Sequence, residues 1–568
     1  MPEYLAPGVY VEEVDTGPRP IEGVSTSTAG FVGETERGPT RPRLVTSWQD
    51  YQRWYGTYID QMPLNANNCY LPYAVRGFFE NGGQRVFVAR VTPKADASKV
   101  AAITYPGAAL AAVPLPTGTA ATTVVSAIGP GLWGNRIYIT VRPATAAILA
   151  QAQKDAAKAG DPAKTATPDA LGWFSIKVLY YRLGISSLAD FVDPTDPNEL
   201  ANPKRVTPDA YELFDNLSAD PSRSNYARSV VNNSSCLIKV LACNGLPTFD
   251  ALHKFQALTG APPDYVPAAV TDYDDADTAE PEARTGLAAL KGIREISLMT
   301  VPDEIASNMG DVAAKLLDIC DTLRDRFAIL SEQAGSGIVG DIRPPRDSSY
   351  GAYYYPWIRV TAPHTPEGTR LISANGHLAG IYARTDVERG VHKAPANEVV
   401  RGILTRDLAG GLKPLGQTLN KAEQDILNPI GVNVIRDFRT DGRDIRVWGA
   451  RTMSSDSQWK YINVRRLFIF IEQSIDRGTQ WAVFEPNSEI TWISLRAAIT
   501  NFLGTVWRNG ALMGQTQEEA FFVRCDRTTM TQDDFDNGRL ICLIGIAPVK
   551  PAEFVIFRIS QKTLDSES

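Results

Sequence analysis

The sequence predicts a multidomain protein of mixed α+β and α/β class, and three observations predict it. The chain has 568 residues, whereas a single core stops growing near ~250–300 residues, so two to four domains are expected. Residues 293–330 run strand, helix, strand, an order that implies an at least locally parallel sheet. Between the two ends, the composition shifts over residues 94–284 to Ala, Thr, Pro and Asp, with recurring strand-like runs. The expected architecture is a discontinuous framework: a βαβ-containing middle domain, a mostly β outer domain inserted into it, and a sheet-plus-helix C-terminal domain.

Residues 1–27 read as an arm. Gly8 to Asp15 (GVYVEEVD) is strand-like and bounded by Pro7, Gly17, Pro18 and Pro20. A lone strand cannot stabilise itself. It is either an edge strand of its own domain or a strand donated to a neighbouring chain. Ala29 to Gly33 is a short strand. Ser47 is placed to cap a helix carrying Trp48, Tyr51 and Trp54. A second helix covers Leu71 to Phe79 and ends at Asn81-Gly-Gly83, and Arg85 to Val91 is a strand.

In the insertion, Arg136 to Val141 and Phe174 to Leu179 are strands. The framework resumes at 285 with the strand Ile293 to Val301. Val312, Leu316, Leu317, Ile319, Cys320 and Leu323 then repeat at helical spacing, and Phe327 to Leu330 is a strand. In the last third, Asn463 to Ser474 and Glu489 to Trp507 are amphipathic helices. Phe521 to Cys525, Leu540 to Ile546 and Phe554 to Ile559 are strands. The last is nearly all apolar between Pro548, Pro551 and a polar tail, which suits a strand covered on both faces.

The net charge is -7, from 57 basic and 64 acidic residues, which argues against a dedicated nucleic-acid binder. The six cysteines lie far apart with no CxxC pair, so a zinc ribbon or thioredoxin-like motif is absent; Cys320, Cys525 and Cys542 read as reduced core residues. The N-terminus lacks a secretory signal pattern, and no apolar run approaches the ~20 residues of a membrane helix, so the expected compartment is the cytoplasm.

Gly335 to Gly340 fits GxGxxG, but a phosphate site needs a helix to start there, and Pro344-Pro345 follow instead. No GxxxxGK[ST], HExxH or GxSxG sequence exists. His364 and His377, with Asp386 and Glu388 beyond, are a weak metal candidate next to the reading as polar or interface histidines. Asp272, Asp274, Asp275 and Asp277 lack the glycine and terminal glutamate of a calcium loop and read as a solvated loop. Asp533 and Asp534 read as opening a short helical turn after Thr531. No catalytic, cofactor or metal residue is assigned, and an enzyme is not expected.

From Arg346 onward the chain resembles the contractile tail sheath family of contractile phages, R-type pyocins and extracellular contractile injection systems. The resemblance is carried in order by SSYGAYYYPWI (Ser348 to Ile358), GHLAGIYARTDVERGVHKAPAN (Gly376 to Asn397), RVWGART (Arg446 to Thr452) and WKYINVRR (Trp459 to Arg466). It continues with TQWAVFEPN (Thr479 to Asn487), TTMTQDD (Thr528 to Asp534) and IAPVKPAEFVIFRISQ (Ile546 to Gln561). PGVYVEEV (Pro7 to Val14) and GVSTSTAGFVG (Gly23 to Gly33) are also similar, so both ends match, whereas 94–284 carries no matching motif.

The resemblance implies a structural subunit that stacks in six-subunit rings around an inner tube protein, with baseplate and terminator or cap proteins as further partners and no cofactor. A switch from an extended to a contracted state would drive the tube out; the alternative is a non-contractile tube, baseplate or capsid-like component. Domains are expected at 1–27 (arm), 28–93 with 285–345 (middle), 94–284 (inserted outer), 346–545 (inner sheath) and 546–568 (C-terminal strand and tail). Strand exchange between subunits would fall to Val9, Tyr10 and Val11 and to Phe554, Val555, Ile556 and Phe557, against the reading of intramolecular sheet core. Arg465 and Arg466 are candidates to face an acidic tube, with a solvated helix face the alternative. Assembly is expected in the cytoplasm, and the product becomes part of a virion or a released particle.

Overall fold

Strands covered on both faces must be apolar throughout, and the runs AGFVG and FAILS meet that demand: every residue of Ala29–Gly33 and Phe327–Ser331 is buried. The computed structural model describes residues 20–59, 69–108, 120–145, 173–185, 193, 206–250, 254–264, 266–274, 284–305, 309–333, 338–405 and 413–558. The chain divides into two compact units, one of residues 27–384 with 396–455 and the other of 1–26, 385–395 and 456–568.

The larger unit begins with β1 (Ala29–Gly33), β2 (Arg43–Val45), α1 (Trp48–Tyr55), α2 (Leu71–Glu80) and β3 (Val86–Arg90). Ser47 caps α1 by accepting from the Asp50 amide, as its position predicts. The intervening segment holds β4 (Ala102–Ala108), β5 (Thr122–Ala127), β6 (Ile137–Pro143), β7 (Trp173–Tyr180) and β8 (Ala210–Ser218). After it come α3 (Ala227–Ser234), β9 (Ile238–Cys243), β10 (Leu246–Pro247) and β11 (Gln256–Ala257).

The unit resumes with α4 (Gly286–Leu290), β12 (Leu298–Thr300), α5 (Gly310–Leu323), β13 (Phe327–Ser331) and β14 (Gly351–Tyr355). It ends with β15 (Ile358–Thr361), β16 (Thr369–Ile372), α6 (Asn375–Arg389), α7 (Lys421–Leu427), β17 (Val432–Asp437) and β18 (Ile445–Trp448). The last residues of α6, from Thr385, are counted with the other unit.

The main sheet has eight strands in the order β18-β17-β14-β13-β12-β1-β3-β2. The inner pairs are parallel, and the two edge pairs, β17–β18 and β2–β3, are antiparallel. The expected βαβ unit is β12-α5-β13, with Leu298 opposite Phe327. Its first strand is shorter than the apolar run suggested. The Arg326 side chain is fully buried and donates to the carbonyls of Leu290 and Ile293, which holds residues 291–295 in turns ahead of the ladder.

The middle segment is mostly β, as its composition indicated. It forms two four-stranded antiparallel sheets, β10-β4-β5-β9 and β11-β6-β7-β8, around one core that includes Trp133, Ile139, Phe174 and Val240. Of the acidic residues expected in a solvated loop, Asp272 is instead buried, accepting from the amides of Lys94 and Ala269; Asp275 and Asp277 lie outside the described residues.

Helices α2 and α6 cross at a seam of small residues. A Cβ on Gly376 would lie 2.2 Å from the Ala74 carbonyl oxygen, and one on Gly380 2.4 Å from that of Phe78. The GHLAG run that resembles the sheath family is thus, in physical terms, a contact where two backbones touch and no side chain fits.

The smaller unit contains α8 (Ile462–Gly478), α9 (Glu489–Arg508), α10 (Gln517–Ala520), β19 (Phe521–Arg524), α11 (Gln532–Asp536) and β20 (Leu543–Ile546). Leu467 and Ile471 of α8 share a core with Leu495, Ile499 and Phe502 of α9 and with Phe521. Thr531 and Asp534 form a reciprocal capping box on α11, and Arg539 pairs with Asp533 and Asp534, as the reading of a helical turn required. β20 starts later than the expected Leu540, because the Ile541 carbonyl is taken by the Thr529 hydroxyl.

Candidate functional site

In open α/β sheets, ligands bind beyond the carboxyl ends of the strands where the strand order reverses. Here that point lies between β1 and β12, since β3 joins β1 on its other side. The residues that leave these two strands are acidic: Glu34 follows β1, and Asp303 and Glu304 follow β12, all buried. Asp303 accepts from the amides of Glu34 (3.0 Å) and Tyr70 (2.7 Å) and from the Tyr273 hydroxyl (2.9 Å). Glu34 accepts from the Cys69 thiol at 3.1 Å and from the Ala268 amide. The space left beside Glu34 and Arg90 is about 40 Å³, room for about one water. The crevice is filled by the chain itself, so these carboxylates tie loops to strand ends.

Their burial has a measurable consequence. It pushes Glu304 up to about 8 and Glu34, with Asp303 adding to the effect, up to about 7. The native state therefore holds protons that the unfolded chain has released, and stability falls as pH rises toward 8. Buried His377, held down to about 3, acts in the opposite sense only below its ordinary range. Between pH 6.5 and 8 the urea midpoint should fall, with Glu304 contributing about 1–2 kcal/mol. Glu304→Gln should flatten that slope; an unchanged slope would remove Glu304 as its cause.

Sequence reasoning passed over these carboxylates. The available signal was an acidic residue placed directly after an all-apolar strand, where a charge leaves the sheet but not the core.

The smaller unit presents the opposite situation, apolar groups without cover. β19 and β20 pair antiparallel, with Phe521 opposite Ile546 and Arg524 opposite Leu543. Among the described residues no third strand joins this pair, and a two-stranded sheet is marginal alone. Phe522, Leu543 and Ile544 are exposed on it.

The chain then runs on in contact with α8: the Asn463 amide donates to the Val549 carbonyl, and the Tyr461 hydroxyl donates to Glu553 at 3.1 Å. Among the described residues, Glu553 is the last one tethered in this way. Phe554, Val555, Ile556 and Phe557 follow with relative exposures of 69, 69, 78 and 82%, and no strand forms over 551–558. Among the described residues nothing pairs with this segment, so the expected strand covered on both faces is not formed over 554–558. A second apolar patch lies at Val483, Phe484, Ile490 and Ile493, where Phe484 is fully exposed with φ 68°.

Val9, Tyr10 and Val11 lie outside the described residues. Arg465 and Arg466, expected on a tube-facing or solvated face of the helix, are buried instead. Arg466 makes a two-pronged contact with Asp386 at 2.6 and 2.9 Å, both side chains being almost fully enclosed. Arg465 reaches Glu472 at 3.2 Å and stacks 4.2 Å from the Trp459 ring. Their charges close the unit's own interior, and the repeated apolar positions of α8 gave no sign of it. None of the six cysteines is joined in a disulfide. Among the described residues no cluster of metal-ligand side chains occurs, and no helix is long and apolar enough to cross a membrane.

Two family models match the chain in succession. Residues 271–453 match the phage tail sheath protein central domain, and residues 454–562 match the phage tail sheath C-terminal domain. The tail sheath protein of Vibrio phage KVP40 is 26% identical over 199 residues, which cover 35% of this chain and 28% of that protein. A putative prophage major tail sheath protein of Pseudomonas aeruginosa is 27% identical over 191 residues, 34% of this chain and 46% of that one. The matches thus span between a quarter and a half of those relatives' lengths.

In fold, the chain is similar to the anti-feeding prophage helical sheath in its contracted state, with a TM-score of 0.52 at 22% identity over 98% of this chain and 100% of that one. It is also similar to the PVC sheath of an extracellular contractile injection system in its contracted state, with a TM-score of 0.51 at 20% identity over 99% of each. The two family matches run without a gap across about half of the sequence, and the sheath structures match its fold from end to end: the chain belongs to the phage tail sheath family.

Proposed function

We propose that this chain is a sheath subunit that polymerises into a helical contractile tube around an inner tube and ejects it by switching from an extended to a contracted packing. The observation that carries the reading is the apolar segment Phe554 to Phe557, which follows the tethered Glu553 and is largely exposed. A neighbouring subunit would receive it as an added strand beside β19–β20, a pair that no third strand joins among the described residues. Val9, Tyr10 and Val11 would supply the reciprocal strand.

Such links leave each subunit's core untouched, so subunits can rotate as rigid bodies between two packings. Phosphate chemistry plays no part in this scheme: the energy resides in the metastable extended packing. The partners are copies of the chain in stacked six-subunit rings, the inner tube protein, and baseplate and cap proteins. The segment 94–284 would form an outer domain on the framework. Assembly would take place in the cytoplasm before release.

Negative-stain microscopy of the purified full chain tests the reading. Wide hollow cylinders are expected without nucleotide. Monomers at high concentration, or cylinders whose length responds to ATP, would overturn it.

A further inference from the structure

One buried charge in the larger unit serves no purpose described so far. Glu332 directly follows β13, is 6% exposed, and its Oε1 has no hydrogen-bond partner. Its backbone is fully engaged: the amide donates to the Tyr354 carbonyl at 3.3 Å, and its carbonyl accepts from the Trp357 indole at 2.9 Å. The backbone is thus held at this point while the carboxylate Oε1 has no partner.

It lines a cavity of about 330 Å³ together with Ser331, Gln333, Asp341, Arg343 and Tyr353. The cation among the lining residues is Arg343, and its guanidinium donates to the Ile342 carbonyl at 2.7 Å. Tyr353 and Tyr355 are pushed up first by burial and then by the Glu332 carboxylate, with Glu304 adding to the effect on Tyr353 and Glu423 to that on Tyr355. Leaving a carboxylate buried without a partner is disfavoured by the loss of its hydration. Burial is the one cause acting on Glu332, and it pushes the group up to about 7.

The cavity opens beyond the carboxyl ends of β13 and β14, the side of a parallel sheet where ligands bind. Its volume is at the small end of ligand pockets. Two carboxylates with one guanidinium leave it one negative charge, and too few acidic ligands for a metal ion.

We propose that this cavity is a binding site for a guanidinium or primary ammonium group on a short alkyl chain, paired with the Glu332 carboxylate. Two sources share that chemistry: a free small cation, and an arginine or lysine side chain of a second copy of this chain. The site is separate from the strand link, since it lies in the larger unit.

Calorimetric titration of agmatine into the full chain tests the proposal, with Ile556→Asp used to hold the protein unassembled. Saturable binding is expected, weakened at least tenfold by Glu332→Gln and less by Asp341→Asn. Glu332→Gln removes an unpaired charge, so its urea midpoint should equal or exceed that of the parent. No saturable binding at 10-fold excess over millimolar agmatine, or full affinity in Glu332→Gln, would overturn the site. Repeating the titration on assembled tubes separates the sources. Binding lost on assembly identifies a side chain of a neighbouring copy, and binding retained identifies a free cation. If Ile556→Asp still forms tubes, the strand link fails while the agmatine result stands.

Discussion

A chain carrying Phe554→Asp and Ile556→Asp should fold as well as the parent and fail to polymerise. Both side chains are largely exposed, so charging them removes no intramolecular contact, and the urea midpoint should shift by less than about 0.5 kcal/mol. Seated as a strand in a neighbour, each large apolar side chain would contribute about 1.5–3 kcal/mol. Each backbone hydrogen bond would add about 0.5–1.5 kcal/mol. Buried carboxylates would reverse most of that gain. Sedimentation of the variant at concentrations where the parent forms tubes should show monomer alone, and tubes of parental yield would count against the link.

Gly376→Leu should destabilise the larger unit severely. The space a Cβ needs is occupied by the backbone of Ala74, with its carbonyl oxygen 2.2 Å away and its Cα 2.4 Å away. A flexible side chain could yield, but a helix backbone moves only with its whole element. Overpacking of a core costs about 1–3 kcal/mol when side chains can adjust, and here α2 must separate from α6. A loss of about 3 kcal/mol or more is expected, read as a lowered urea midpoint at unchanged slope. Gly340→Ala is the control, since nothing lies within 4 Å of a Cβ there, and it should stay within about 0.5 kcal/mol. Equal effects from the two substitutions would refute the seam.

The framework was legible where burial and period agree. β1, β3, β13 and both long helices of the smaller unit lie close to where apolar spacing put them, and Ser47 and Thr531 cap the helices they precede. What stayed hidden depends on partners distant in sequence. Arg326 shortens β12 by taking carbonyls about thirty residues upstream, which no local propensity encodes. Arg466 reads as a surface charge on an amphipathic helix until Asp386, 80 residues earlier, is brought beside it.

Phe554 to Phe557 shows the reverse case. Their apolar run reads as a strand that needs cover, but cover within one chain and cover from another chain leave the same sequence. The buried Glu332 carboxylate was equally silent, since its distinction is an oxygen without a partner.

The most direct test of the account places a photoreactive phenylalanine analogue at position 556 and assembles tubes from a mixture of isotopically light and heavy chains. If the terminal segment is exchanged, irradiation should join position 556 to residues of β19 or β20, and the joined peptides should include light–heavy pairs. Crosslinks confined to single chains, or light–heavy pairs that avoid β19 and β20, would contradict it.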